Sequence, residues 1–392
     1  MQTINVLFFT HYAQMYGANY STLYLMSELK EKYHVNPFII IPERGSLIKK
    51  LRERGIPYLC VNFKSWMHNN ENIQPKVEAW LEMEITNREA LRQIEGGLQE
   101  RKFFPDVVVS ASSMTNIGMQ YALLKKRKHI WFIRECNEQY NFTNIYPDFI
   151  ARWWWRQSDR IICISKFALN EFRNTYGRIG NEVVLYNGVD ADREGIMRSP
   201  LQKSRDVRFC IVGLITENKG QYFVTKCFKK LYDNGYRNFE LYIVGSGNNI
   251  EINKIRKLCR ENDFGEKVTL SGYCPDVQKL LRDMDVGIMG SYKEMFGRTT
   301  VEYMMSGMPV IASASGANEE IVVDGKTGYI YEYDNEQDFI EKVKRCLDHP
   351  EYLGTLGENG MKRAQKYFTK EKNAKGFYRI LTGSMDKGAG YR

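Results

Sequence analysis

Short runs of β-branched and aromatic residues alternate with amphipathic segments of helical period along the whole chain. This is the pattern of parallel sheets wound with right-handed crossovers. In the first half it predicts strands over residues 4–10, 37–41, 58–63, 107–110, 129–134, 160–164 and 183–186. These runs are apolar on both faces, as buried parallel strands are. In the second half it predicts strands over residues 207–214, 240–244, 268–271, 286–289 and 309–312, each followed by a helix. Residues 71–100 break the rhythm with a charged, helix-favouring stretch containing Gly96 and Gly97, which reads as a helical excursion over the surface. The expected class is α/β, with two Rossmann-like, doubly wound parallel-sheet domains facing across a cleft. Such sheets take ligands beyond the carboxyl ends of their strands.

Length supports two domains, because 392 residues exceed the roughly 250 at which single cores stop growing. The polar segment from Asp192 to Asp206, with Pro200, marks the boundary. The expected domains are residues 1–195 and 196–392, the last helix packing back on the first domain. No apolar run approaches the roughly 20 residues that cross a bilayer, and Trp153, Trp154 and Trp155 are bracketed by Arg152 and Arg156. The first strand begins almost at Met1 with no leader-like segment, so a cytoplasmic protein is expected. Eight cysteines are scattered singly, without a C-x-x-C pair or a histidine at ligand spacing. Reduced, mostly buried thiols and no metal are the expectation.

The net charge of +9 favours contact with anions. It is neither interleaved with aromatics nor carried on a recognised module, so nucleic acid is not an expected partner. Peripheral contact with the inner membrane surface is compatible with it. The basic run Lys125, Lys126, Arg127 and Lys128 reads as a solvated helix end that complements the dipole.

The stretch richest in chemistry is Glu294, Met295, Phe296, Gly297, Arg298, Thr299, Thr300, Val301 and Glu302, followed by Gly307, Met308 and Pro309. It lies just past a strand and opens a helix. Backbone donors near Gly297 and Thr299 suit a diphosphate. The two carboxylates, eight positions apart, can reach different parts of one extended ligand. Each accepts paired hydrogen bonds from vicinal hydroxyls. Taken singly, each glutamate is an ordinary capping or solvent-facing choice; the Phe-Gly step between them and the Pro-initiated strand after them favour the functional reading. In the first half, Tyr16, Gly17, Ala18 and Asn19 stand between a strand and a helix, either as an anion-approaching turn or as a plain one. Arg134 and Glu135 end a strand, as an ion pair or as ligand contacts. His11, after the first strand, is a candidate contact to acceptor or donor.

With these residues in place the chain resembles glycosyltransferase family 4, whose members have the GT-B fold and an E-x7-E motif. Glu294 to Glu302 has that spacing, and the order of other segments agrees with it. Asn187, Gly188, Val189 and Asp190 stand at the domain junction. Val212 and Gly213 lead to Lys219 and Gly220, Val244 to Gly247 form a strand-end turn, and Gly272 follows the next strand. Gly316, Glu319, Glu320, Gly325 and Gly328 close the series. The resemblance covers most of the second half, and in the first half rests on Gly17 and Ser165.

The resemblance implies a retaining hexosyl transfer from a nucleotide-sugar, with a UDP-sugar favoured, to a glycan or lipid-linked acceptor in bacterial surface polysaccharide synthesis. The nucleotide-sugar is a co-substrate, and no cofactor or metal is implied. The first domain would bind the acceptor and the second the nucleotide-sugar. Glu302 would hold the ribose, Glu294 the hydroxyls of the sugar, and Lys219 would neutralise the diphosphate. Backbone groups of Phe296, Gly297, Arg298 and Thr299, with the turns at Gly213 and Gly17, would support sugar and phosphates, and Tyr273 would border the base.

One departure stands out: Leu214 follows Gly213 where many family members have an arginine. A departing diphosphate develops charge that must be stabilised, so another cation is expected to compensate. Arg298 is the first candidate and Arg134 the second. The alternatives are an epimerase or phosphorylase of the same fold, and a nucleotide-binding protein with a disabled site. A nicotinamide oxidoreductase fits poorly, because Ile250 stands where the third glycine after Gly245 and Gly247 would be.

Overall fold

The computed structural model describes residues 3–69, 76–135, 142–190 and 205–383. The chain divides into two compact units, Met1–Asp190 with Lys370–Arg392, and Ala191–Thr369. Residues 192–204 of the polar segment expected to hold the domain boundary lie outside the described residues, as do residues 71–75 of the expected excursion and Cys136. The seven described cysteines are free.

The first unit contains β1 (Ile4–Phe9), α1 (Gly17–Lys32), β2 (Val35–Ile41), α2 (Leu47–Glu53), β3 (Tyr58–Cys60), β4 (Met67–Asn69), α3 (Lys76–Glu100), β5 (Val107–Ser110) and α4 (Ile117–Lys125). It continues with β6 (Lys128–Ile133), β7 (Phe142–Asn144), α5 (Asp148–Arg156), β8 (Arg160–Cys163), α6 (Lys166–Tyr176) and β9 (Glu182–Val184). Seven strands form one parallel sheet in the order β3-β2-β1-β5-β6-β8-β9. The burial of β1 explains its uninterrupted apolar run. Leu7 and Phe9 join the core beneath α3 and α4, while Phe8 packs toward Phe377 of the C-terminal helix Lys370–Leu381 on the other face.

Residues 76–100 form one long helix, yet it is more than a surface excursion. Met83, Ala90, Ile94 and Leu98 recur at helical spacing and are buried, the last three in the core with Phe38 and Ile40. The short antiparallel pair of β4 with β7 has too few residues to show a period and was not foreseen. The basic run does end a helix: Lys126 caps α4 in the left-handed conformation and Lys125 pairs with Glu95 at 2.8 Å.

The second unit contains β10 (Val207–Val212), α7 (Gln221–Asp233), β11 (Phe239–Val244), α8 (Asn249–Cys259), β12 (Val268–Gly272), α9 (Val277–Leu281) and β13 (Val286–Met289). It continues with α10 (Arg298–Met305), β14 (Val310–Ser313), α11 (Asn318–Ile321), β15 (Gly328–Tyr331), α12 (Glu336–Asp348) and α13 (Leu353–Tyr367). Six strands form a parallel sheet in the order β12-β11-β10-β13-β14-β15. Its core interleaves Phe209, Leu241 and Ile288 of the sheet with Phe228 and Phe339 of the covering helices. The edge strand β15 is four residues long and was not read from the sequence.

Both sheets are therefore doubly wound. Strand order reverses between β1 and β5 in the first and between β10 and β13 in the second. At such a reversal the crossovers leave on opposite faces, and a crevice opens at the carboxyl ends of the strands.

Candidate functional site

In the second unit the loops after β10 and β13 flank this reversal. Tyr292 N donates to Asn218 O at 2.9 Å, drawing the two loops together. Across the junction Lys219 Nζ meets Glu294 Oε2 at 2.7 Å, and Glu294 Oε1 accepts from the backbone of Gly297 at 3.3 Å. The backbone of Glu294 is held from a third side, since Ala317 N donates to its carbonyl at 2.7 Å. Gly316 allows this approach: a Cβ there would lie 2.2 Å from Glu294 O. Burial alone pushes the Glu294 carboxyl up. The Lys219 ammonium, with hydrogen bonds from Gly297 and Ser291, outweighs it and holds the group below the ordinary carboxylate range.

Gly297 precedes α10 in the left-handed conformation, at φ 74°, and no side chain caps the helix. The first-turn backbone donors of α10, which begin at Arg298 and Thr299, thus sit at the carboxyl edge of the sheet. Arg298 reaches Glu302 one turn on, at 3.1 Å. Thr299 is half-buried, and Thr300 Oγ1 meets Asn318 Oδ1 at 3.0 Å, tying α10 to α11. The Phe296 side chain is buried against Phe368, so only its backbone is available to a ligand. Gly213 follows β10 with open space on its Cβ side, and Leu214 beside it is 54% exposed. Tyr273, 76% exposed, follows β12 at the same carboxyl edge.

The structure thus joins Lys219 to Glu294 and Arg298 to Glu302, and sets Gly213, Phe296, Gly297, Thr299 and Tyr273 on one edge of one sheet. Gly17 and Arg134 belong to the first unit. Gly17 opens α1 and is exposed, while Asn19 behind it fixes the turn by donating to the carbonyls of Tyr12 and Gln14 at 2.9 and 2.8 Å. Arg134 is buried. Its Nε donates to Ala111 O at 2.9 Å, one of its terminal nitrogens donates to Asn187 Oδ1 at 2.5 Å, and its guanidinium lies 4.5 Å from the Phe132 ring. Glu135 accepts from the backbone and hydroxyl of Ser113, at 3.1 and 2.7 Å, while its other oxygen is buried without a hydrogen-bond partner. His11 Nδ1 is likewise buried and unpartnered. Burial lowers the pKa of His11, and the nearby Glu135 charge only partly offsets this, so the imidazole is neutral at pH 7.

The chain also carries two Asp-x-Asp triplets. Asp285 of Asp283-Met284-Asp285 receives Arg205 through both oxygens at 2.7 and 2.9 Å, and it precedes β13, at the amino end of the sheet. Asp190 of the other triplet pairs with Lys370 at 2.7 Å, and its third residue lies outside the described residues. Asn218 and Ser113 were not read from the sequence as supports, and Gly316 was read only by its place in the series. Their signal is spatial, because each acts on a residue distant in sequence.

Comparison with known proteins bears on both halves. Residues 17–193 match the model of "Glycosyltransferase Family 4" and residues 192–363 that of "Glycosyl transferases group 1". The chain is 30% identical over 232 residues to an uncharacterised glycosyltransferase of Methanocaldococcus jannaschii, covering 58% of this chain and 61% of that one. It is 27% identical over 168 residues to the capsular polysaccharide biosynthesis glycosyltransferase CapM of Staphylococcus aureus, covering 41% and 42%. The matches thus span less than two thirds of these relatives. Among solved structures, HepE of Anabaena in complex with UDP superposes with a TM-score of 0.77 at 16% identity, over 97% of this chain and 100% of that one. A glycosyltransferase from Rickettsia africae superposes with 0.78 at 17% identity, over 98% and 99%. Two family models that together run from residue 17 to residue 363, on two doubly wound units, lead to one conclusion: the chain belongs to glycosyltransferase family 4, with the GT-B fold.

Proposed function

We propose that the protein is a retaining hexosyltransferase that moves a sugar from a nucleotide-sugar, a UDP-sugar by preference, to a glycan or lipid-linked acceptor in surface polysaccharide synthesis. The observation that supports it most is the Lys219–Glu294 pair at the strand-order reversal, beside an uncapped helix start. A cation, backbone donors and hydroxyl-binding carboxylates then meet at one edge, complementary to a diphosphate joined to two polyols. Glu302 takes the ribose, Glu294 the sugar hydroxyls, and Tyr273 borders the base. The backbone at Gly213, Phe296, Gly297 and Thr299 leaves room for phosphate and sugar, while Gly17 opens the turn at the ligand edge of the first unit, which takes the acceptor.

The bond between the anomeric carbon and the diphosphate oxygen breaks as the acceptor oxygen attacks on the same face. The acceptor proton passes to the leaving diphosphate, so neither a protein nucleophile nor a metal cofactor is required. Lys219 and the first-turn donors of α10 bear the developing charge. Arg298 supplies the charge that Leu214 lacks, exchanging Glu302 for phosphate when the donor binds. Arg134, held by Ala111 and Asn187, positions the strand-end loops of the first unit. Exposed Phe149 and Trp153, one turn apart on α5 beside Arg152 and Arg156, support peripheral attachment at the cytoplasmic membrane face.

The test is a thermal-shift series with UDP-, GDP- and ADP-sugars, since a ligand of the native state raises stability by RT ln(1 + [L]/Kd). A rise with one nucleotide class that disappears in Glu302→Ala is expected, followed by transfer to an added acceptor. No rise with any of the three overturns the donor site. Turnover of the donor without acceptor replaces transferase by epimerase or phosphorylase.

A further inference from the structure

We propose that a cavity on the first unit, between α2 and the edge strand β3, is a subsite for an anionic group of the acceptor, a phosphate or a carboxylate. The proposal rests on the reading above that this unit takes the acceptor. The cavity holds about 620 Å³, within the range of roughly 300–1,000 Å³ usual for ligand pockets. Arg44 from the loop after β2, Lys49 and Arg52 from α2, and Tyr58 and Cys60 from β3 line it.

Its charge is unbalanced. Glu53 is the acidic lining residue, and Lys50, which does not line the cavity, takes its carboxylate at 2.8 Å. Neither Arg44 nor Lys49 forms an ion pair with a carboxylate among the described residues. Arg52 is fixed by the Tyr58 hydroxyl at 2.9 Å, its guanidinium 5.9 Å from that ring. One oriented guanidinium and two unengaged cations around a concave wall form an array for a dianion. A guanidinium can meet two anionic oxygens at once, and the ammonium adds a compact charge. All three side chains border the same concave volume.

The position ties the cavity to the ligand edge of the unit. Gly45, which also lines it, lies so close to the loop after β1 that a Cβ would sit 2.4 Å from Ala13 O. Leu47 N donates to the same carbonyl at 2.9 Å, and Met15 N donates to Ser46 Oγ at 2.9 Å. The Gly45 side of the cavity is thus stitched to the loop that carries His11 and Tyr16, one of the two loops at the reversal of strand order. An acceptor that presents a hydroxyl at this reversal can lay a charged neighbouring group against Arg44 and Lys49. A neutral glycan would leave these cations without a counter-charge.

The experiment titrates inorganic pyrophosphate into the full chain, with UDP at saturation to occupy the second unit, and compares it with Arg44→Ala/Lys49→Ala. Both positions are solvent-facing, and an unchanged thermal midpoint reports an intact fold. The parent is expected to bind pyrophosphate, and the double variant at least tenfold more weakly, while the shift produced by UDP stays the same. Equal pyrophosphate binding by parent and folded variant overturns the proposal. Absence of any UDP response would sink the donor reading instead; the difference between parent and variant would still decide the cavity. Competition separates the sources of the charge. Displacement of pyrophosphate by farnesyl diphosphate identifies a lipid-linked diphosphate, and displacement by a hexuronate oligosaccharide identifies an acidic glycan. Displacement by neither overturns the assignment to the acceptor.

Discussion

The helices α6 and α10 both begin at the carboxyl edge of a parallel sheet, but their first turns are finished differently. In the first unit Ser165 caps α6, its hydroxyl accepting from Ala168 N at 2.8 Å within fully buried surroundings. In the second unit Gly297 leads into α10 without any side-chain cap, and the nearest carboxylate, Glu294, is engaged by Lys219. The same contrast runs through the loops around them. Indole donors from Trp66 and Trp131 hold the carbonyls of Ser113 and Ser112 at 2.6 and 2.8 Å in the first unit. In the second, the Lys219–Glu294 ion pair joins two of the loops. Indole bonds and a hydroxyl cap fix a scaffold, whereas paired charges at a helix start can be exchanged for the charges and hydroxyls of a ligand.

The strongest test of this contrast removes the aromatic anchor. Trp131→Ala, at a fully buried ring packed against Trp66 and Trp155, is expected to cost about 3–5 kcal/mol. Urea unfolding should show the loss in the first unit, with UDP binding by the second retained below the transition. Lys219→Ala comes next. It should lower turnover roughly 100- to 1,000-fold with little change in the thermal midpoint, measured as nucleotide release with acceptor present; a variant within threefold of the parent would break the assignment of Lys219. The same variant sharpens the electrostatics. Without the ammonium, burial is opposed only by hydrogen bonds, the Glu294 carboxyl rises, and the acid limb of donor affinity should move to higher pH.

A smaller, pH-dependent effect separates the units. His129 lies between the hydroxyls of Ser110 and Ser158, each at 2.9 Å, and burial pushes it down to about 3 from 6.5. Because the folded value lies below the unfolded one, the stability this group contributes is complete above pH 6.5. It is lost as pH falls toward 3, since the unfolded chain takes a proton that the folded unit refuses. The slope is about 1.4 kcal/mol per pH unit. Denaturant unfolding at pH 7.5, 6 and 5 should show it for the first unit, and His129→Gln should flatten it. The only histidine of the second unit, His349, is exposed. The smallest expected effect is at the cap: Ser165→Ala should cost about 1 kcal/mol by thermal unfolding without altering nucleotide response.

Legibility followed the range of the interactions. Glu294, Gly297, Arg298 and Glu302 lie within nine consecutive residues, so one strand end and one helix start place them, and their spacing could be read directly. The partners of Arg134 could not be read, because Asn187 stands 53 positions away and Ala111 23 positions away. A long strand such as β1 announced itself by six apolar or half-buried positions. The three-residue β4 and β7 did not, since pairing across most of the first unit, rather than local period, makes them strands.

The sequence by itself determined the alternation of strands and helices, the doubly wound class and the nine-residue motif, because each depends on local period, chain stiffness and the backbone freedom of glycine. Only the tertiary structure decided which loops meet. It set Lys219 against Glu294 from 75 positions away, turned one face of α3 into core, and gathered Arg44, Lys49 and Arg52 around one cavity. These depend on sheet order and on the packing of both faces of each sheet, which no short window of sequence contains.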